Sequence, residues 1–125
     1  MDGIPIMKLQ EPKIIYVDVD GTICKNLELP NFSDSPKDYT KAEPYPNRIK
    51  EINLLYDQGH RIVYWTARGV HSGGNFTELT KQQLLEWGCK YHDLQVGNKP
   101  HFDMYICDKS YNSESFFHHK ESGLP

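Results

Sequence analysis

Hydrophobic residues fall into short continuous runs and helical repeats that alternate along the chain. The run from Ile14 to Val17 is apolar at every position, which predicts a strand buried on both faces. A second run of this kind covers residues 61–66. Between them, apolar side chains recur at helical spacing from Pro46 and stop at Gly59, which predicts a helix that joins the two strands.

The second half of the chain continues this alternation. Residues 77–87 predict a helix closed by Gly88, and a further helix is predicted at 114–120. The apolar positions of the first of these helices are Leu79, Leu84, Leu85 and Trp87. Short strands are predicted at 94–96 and 104–107, and the final residues, ESGLP, are expected to fray.

Alternating strands and helices predict the fold class. Apolar strands of this uniformity indicate an α/β fold, a three-layer Rossmann-like parallel sheet with helices on both faces. Residues 1–125 are expected to form a single domain. Residues 24–46 contain four prolines and no regular period, so we expect a loop or flap there.

Composition and charge narrow the class of protein. The chain is 38% hydrophobic and 25% charged, which is sufficient for a packed core. A net charge of −3 does not favour binding to nucleic acid or to an anionic membrane. No apolar run approaches the roughly 20 residues that span a bilayer, and the first residues do not resemble a secretory signal. Three widely spaced cysteines, Cys24, Cys89 and Cys107, are typical of a reducing cytoplasm.

Acidic residues follow two of the predicted strands. Asp18 and Asp20 come directly after the first strand, and Asp108 comes directly after residues 104–107. Ligands bind at the carboxyl ends of strands in open parallel sheets, and three carboxylates there predict a site for a hard cation such as Mg²⁺. The simpler alternative for residues 18–21, DVDG, is an acidic turn after a strand.

Groups suited to a phosphoryl ligand lie at the same predicted edge. Thr66 ends the second strand, and Ala67 and Arg68 follow it with backbone N–H groups and a guanidinium. Lys99 lies in a Gly-Asn-Lys-Pro turn, where its charge could neutralise a phosphate. An exposed Arg68 that pairs only with solvent is the alternative for that residue.

These residues resemble the four motifs of the haloacid dehalogenase-like (HAD) phosphatases. The matching positions, in order, are DVDGT at 18–22, Thr66, Lys99 and Asp108. The resemblance implies that Asp18 is a nucleophile that forms an aspartyl-phosphate, and that Asp20 is the general acid and base. It implies that Thr66 and Lys99 hold the phosphoryl group. It also implies a Mg²⁺ site formed by the side chains of Asp18 and Asp108 and the backbone carbonyl of Asp20.

The chain departs from the family pattern in three respects. Cys107 precedes Asp108 where a glycine or an acid is common, and Asn112 stands where a further acid is common. The intervals between motifs are too short for the family's inserted cap domains, so the chain resembles a capless member.

A further resemblance is to short bacterial HAD proteins of capsule and surface-polysaccharide synthesis. It is carried by the stretches YWTARG and KPHFDMYICDKS.

Three functions follow as hypotheses. The first is a Mg²⁺-dependent phosphomonoester hydrolase for a small phosphorylated sugar or polyol, with a homo-oligomer or the substrate itself closing the site. The second is a polynucleotide or nucleotide 3′-phosphatase, which the charge of −3 does not favour. The third is a non-catalytic phosphate-binding domain.

Overall fold

The structure is a computed structural model that describes residues 11–26, 38–70, 73–100 and 102–121. Its strands and helices, in chain order, are β1 (Ile14–Asp18), β2 (Cys24–Lys25), β3 (Glu43–Pro44), α1 (Pro46–Asp57), β4 (Arg61–Thr66), α2 (Thr77–Glu86), β5 (Asp93–Val96) and α3 (Ser113–Glu121). A single 3₁₀ turn at Tyr39–Lys41 precedes β3. None of the described helices is long and apolar enough to cross a membrane.

The main sheet has three parallel strands in the order β1-β4-β5. Asp18 pairs with Trp65 in the register of β1 and β4, and Thr66 pairs with Val96 in that of β4 and β5. The carboxyl ends of β1 and β4 therefore lie side by side. The prediction of a parallel α/β sheet is confirmed, as are the predicted helices that α1, α2 and α3 represent.

The hydrophobic core lies on one face of this sheet. Val17 and Val19 of the first strand segment, together with Ile62 and Tyr64 of β4, pack with side chains of all three helices. The helical contributions are Ile49, Ile52 and Leu55 from α1, Leu84 from α2 and Phe117 from α3. On the opposite face Ile14 and Tyr16 are exposed. In the described residues, then, helices cover one face of the sheet, where the sequence predicted helices on both.

The packing of the helices on one face of the sheet follows from the direction of the two crossover connections. Parallel strands joined by a helix follow a right-handed path. The chain crosses from β1 to β4 through α1 and from β4 to β5 through α2, so each crossover adds the next strand on the same side of the sheet. Two right-handed steps in one direction place both helices on the same face. A helix on the other face would need a strand added beyond β1.

Two strands lie within the segment predicted to be a loop. β2 and β3 pair antiparallel, with Cys24 opposite Pro44 and Lys25 opposite Glu43. Pro44 is tolerated because the pair is only two residues long and has an open edge. The middle of the predicted flap, residues 27–37, lies outside the described residues, as do residues 122–125 of the predicted frayed end.

The prediction of a strand at 104–107 is wrong in this structure. Met104, Tyr105 and Ile106 are all exposed, and the segment forms no strand. Cys107 is only partly buried, whereas a strand at 104–107 inside a parallel sheet would bury it. An apolar run becomes a strand only when it finds a partner edge, and the described residues give this one none.

Candidate active site

Asp18 occupies the carboxyl end of β1 and faces a lysine. Lys99 Nζ lies 3.3 Å from Asp18 Oδ1, and the same Nζ lies over the ring of Trp65, 5.3 Å from its centroid. The backbone N–H of Val19 also donates to Asp18 Oδ1 at 2.8 Å. The Asp18 side chain remains 41% exposed, so one carboxylate with a cation beside it is open to a ligand.

Asp20 is held from several directions. Its carboxylate accepts hydrogen bonds from Arg68 Nη2 at 2.9 Å, Arg68 Nε at 3.1 Å and Asn26 Nδ2 at 2.8 Å. The thiol of Cys24 also donates to it, at 3.6 Å. Gly21, which follows Asp20, has a φ of 79°, and this left-handed turn returns the chain so that Gly21 N–H donates to the Cys24 carbonyl.

Thr66 and Arg68 belong to the turn that follows β4. The Thr66 hydroxyl donates to Asp20 Oδ2 at 3.3 Å and accepts from the backbone N–H of Arg68. The turn needs a glycine at Gly69, where φ is 89° and an added Cβ would lie 2.2 Å from the Gly74 carbonyl oxygen. The chain therefore folds back tightly enough to aim Arg68 inward.

Arg68 differs from both sequence-based alternatives. Its side chain is fully buried, so it is not the solvent-exposed arginine that was considered. Its guanidinium contacts Asp20, Thr80 and Gln83, and the ring of Tyr39 lies 4.6 Å from its central carbon. In this arrangement its donors face protein groups, which does not agree with the prediction that Arg68 binds substrate. Ala67 is exposed at the start of the same turn.

The two site carboxyls have opposite pKa shifts. Burial raises the pKa of Asp18, and the charge of Lys99 offsets part of that increase. Burial also acts to raise the pKa of Asp20, but the hydrogen bonds and charge of Arg68 outweigh it and hold that pKa below its usual range. Burial raises the pKa of the neighbouring Cys24 thiol to about 12, so this cysteine is no nucleophile at neutral pH.

Asp108 lies apart from these groups in the structure. It is exposed, and its carboxylate accepts a long contact from the adjacent Cys107 Sγ at 3.9 Å. Across the described residues, no three His, Cys, Asp or Glu side chains are placed to hold one metal ion. The site thus brings together Asp18, Asp20, Thr66 and Lys99, and it does not bring in Asp108.

Several side chains of the described residues that contact the Asp20–Arg68 pair were missed from sequence. They are Cys24, Asn26, Tyr39, Thr80 and Gln83. Asn26 and Tyr39 have no local signal, because they lie in the proline-rich segment. Gln83 does have a local signal. The buried face of α2 is formed by Thr80, Gln83 and Leu84, whereas Leu85 is 80% exposed. A polar residue at helical spacing from buried positions indicates a buried partner.

Comparison with known proteins gives two likenesses. No protein-family model matches the chain. Over 55 residues it is 38% identical to a putative nucleotidase of Bacillus cereus, a match that covers 44% of this chain and 27% of that protein. The chain therefore spans about a quarter of that relative's length. It also resembles the crystal structure of a structural-genomics target from Vibrio cholerae, with a TM-score of 0.62 and 25% identity over 85% of this chain and 87% of that one.

Proposed function

We propose that this chain is a HAD-type phosphomonoester hydrolase that works through an aspartyl-phosphate on Asp18. The observation that carries the proposal is the half-exposed Asp18 carboxylate at a strand end, with the Lys99 ammonium 3.3 Å away. Asp20 and the Thr66 hydroxyl belong to the same site. The partial likeness to a putative nucleotidase supports a phosphatase-type hydrolase.

In the proposed reaction a carboxylate oxygen of Asp18 attacks phosphorus. The bond from phosphorus to the ester oxygen breaks, and the leaving alcohol takes a proton from Asp20. Water then attacks the aspartyl-phosphate, Asp20 takes a proton from that water, and inorganic phosphate leaves with Asp18 restored. Lys99 balances the negative charge of the transferring group throughout.

Magnesium is proposed as the cofactor, with Asp18, the backbone carbonyl of Asp20 and Asp108 as ligands. When bound it would neutralise charge on the phosphoryl oxygens. The arrangement of the described residues does not yet fit that ion, because Asp108 is exposed and no three-ligand group is formed. For this reason every step above is assigned to side chains of the protein.

The proposed substrate is a phosphorylated sugar or polyol, in surface-polysaccharide precursor synthesis. A nucleotide is the second candidate, because the relative that matches 55 residues of this chain is named a putative nucleotidase. The capless architecture, a cytoplasmic location and closure of the site by a second subunit belong to the same proposal.

A phosphate-release screen tests this function. It would compare sugar phosphates, polyol phosphates, nucleoside monophosphates and 3′-phosphorylated oligonucleotides. We expect Asp18→Asn to abolish release, because an amide cannot form the acyl-phosphate. The control is Asp57→Asn, which alters an exposed carboxylate paired with Lys90 and should leave the rate unchanged. A pure Asp18→Asn sample that keeps a tenth of the rate, a barrier change of only about 1.4 kcal/mol, would contradict the nucleophile assignment.

A further inference from the structure

The guanidinium of Arg68 is enclosed by protein groups, and each of its three nitrogens donates to one of them. Arg68 is fully buried, and its Nε and Nη2 both donate to Asp20. Its third nitrogen, Nη1, donates to Thr80 Oγ1 at 3.2 Å and to Gln83 Oε1 at 2.6 Å. The orientation of Arg68 toward Asp20 is therefore set by two side chains of α2.

Gln83 makes a second contact with the other end of its amide. Its Nε2 donates to the Tyr39 carbonyl at 2.6 Å, and the ring of Tyr39 lies over the guanidinium of Arg68. Gln83 is 6% exposed. A primary amide can accept from an arginine and donate to a carbonyl at the same time, whereas a carboxylate or a thioether cannot.

We infer that Gln83 is a positioning residue for the proposed hydrolase. By joining Arg68 to the Tyr39–Lys41 turn, it holds the guanidinium in the place from which two nitrogens fix the Asp20 carboxylate. The inference rests on the proposed function for its catalytic meaning. The chain of contacts runs from the Tyr39 carbonyl through Gln83 and Arg68 to Asp20.

The physical basis is the cost of a misplaced catalytic group. Proton transfer to a leaving oxygen requires a donor within hydrogen-bond reach, and small displacements lower the rate steeply. Asp20 lies just before a glycine turn and has no helix or regular strand of its own to hold it. Its orientation is therefore set by the side chains that bind its carboxylate, of which Arg68 makes the most hydrogen bonds, beside Asn26, Cys24 and Thr66.

The test uses Gln83→Met, which keeps the length and shape of the side chain and removes both hydrogen bonds. Gln82→Met is the matched control, because Gln82 is the exposed neighbour on the same helix and its side chain donates to the exposed Glu86. Thr80→Val serves as a second variant that removes the other acceptor of Arg68 Nη1 with little change of shape. Two quantities are measured: kcat and KM on the best substrate of the screen, and the exchange rate of the Arg68 Nε–H proton by NMR.

For Gln83→Met we expect kcat to fall about tenfold while KM stays within about twofold, the pattern of a group that acts in the transition state. The Arg68 Nε–H should exchange about tenfold faster, because opening of the buried pair becomes easier. Thr80→Val should act in the same direction, and Gln82→Met should change neither quantity.

Two results would overturn the inference. One is a higher KM with kcat retained, which would place the Arg68 cluster in substrate binding. The other is an unchanged exchange rate of the Arg68 proton in both variants. A wild-type chain that hydrolyses no substrate of the screen contradicts the proposed function, and in that case the exchange rate alone decides whether Gln83 fixes Arg68.

Discussion

Asp18 and Asp20 are two residues apart, yet their surroundings differ in kind. Asp18 is half-exposed and has one cation beside it, and the pKa of its carboxyl is raised chiefly by burial. Asp20 is enclosed, and Arg68 overcomes the effect of burial and lowers its pKa. The first proposed step requires Asp20 to be protonated while Asp18 is ionised, whereas these two pKa shifts favour the opposite distribution of the proton. The Arg68 contacts therefore favour the ionised form of Asp20, which is the form that takes the proton from water in the second proposed step.

The Arg68–Asp20 pair yields a stability prediction. Arg68→Met should destabilise the fold by about 2–4 kcal/mol, because it leaves a largely buried carboxylate without its partner. Urea denaturation measures the change. The double variant Asp20→Asn/Arg68→Met should recover a large part of this loss, since no unpaired charge then remains. Purely additive losses in the two single variants would contradict a direct interaction.

The lowered pKa of Asp20 predicts a dependence of stability on pH. A carboxyl whose folded pKa lies below its unfolded value stabilises the fold at pH values above the unfolded pKa of about 3.9. That contribution is lost as the pH falls through the folded pKa. The difference in unfolding free energy between wild type and Asp20→Asn should therefore shrink as the pH is lowered from 6 to below about 4. A difference that grows on acidification would mean that the pKa of Asp20 is raised.

At the scale of elements, α3 is attached by the buried ring of Phe117, with Phe116 also packed against the core, and by an exposed ion pair. Phe117 is 2% exposed and packs in the core, with the Arg48 guanidinium 5.0 Å from its ring centroid. Arg48 also makes a two-pronged contact with Glu114, at 2.9 and 3.1 Å, and donates to the Thr22 carbonyl. Through Arg48, the helix is tied to the turn that follows Asp20.

The two attachments should differ greatly in strength. We expect Phe117→Ala to cost about 3–5 kcal/mol, from lost burial and a residual cavity. Glu114→Gln should cost much less than Phe117→Ala, because the Glu114 side chain is 70% exposed and its ion pair is screened by water. Chemical denaturation of the two variants compares them. Equal losses would mean that the exposed ion pair contributes as much as the buried ring, which contradicts this prediction.

At the scale of the whole molecule, the described structure leaves part of one face of the sheet exposed. Ile14 and Tyr16 are exposed on that face, and Met104 and Ile106 are exposed in a segment that forms no strand. The same segment leads to Asp108. The position of the third predicted metal ligand therefore depends on how residues 102–108 pack, and the sequence cannot decide that by local pattern alone.

The proposed magnesium site predicts how metal removal and the variant Asp108→Ala change phosphate release. If Mg²⁺ is the cofactor, EDTA should abolish phosphate release and added Mg²⁺ should restore it. Asp108→Ala should raise the Mg²⁺ concentration needed for half-maximal activity, because it removes an anionic ligand. The control is Asp103→Ala, an exposed acid in the same segment. Full activity after EDTA treatment would contradict the metal proposal, and an effect as large in Asp103→Ala would contradict the ligand assignment.

Local pattern was sufficient where an element is defined by its own residues. The helices from Pro46 and Thr77 and the strands around residues 14–18, 61–66 and 93–96 follow from apolar spacing together with glycine and proline boundaries. The parallel sheet follows from their alternation. The position of Asp18, Asp20 and Thr66 near one edge follows in turn, since parallel strands end at the same edge.

Tertiary structure decided whatever depends on a partner distant in sequence. The 104–107 run has the composition of a strand, but pairing requires a free edge at the right place, which composition does not encode. Arg68 and Gln83 are residue types that usually lie at a protein surface. The buried partner of Arg68 is Asp20, 48 residues away in sequence. The buried partner of Gln83 is the Tyr39 carbonyl, 44 residues away. Whether a charge is solvated or paired is set by what the fold packs against it, so no local pattern could predict that Arg68 faces Asp20.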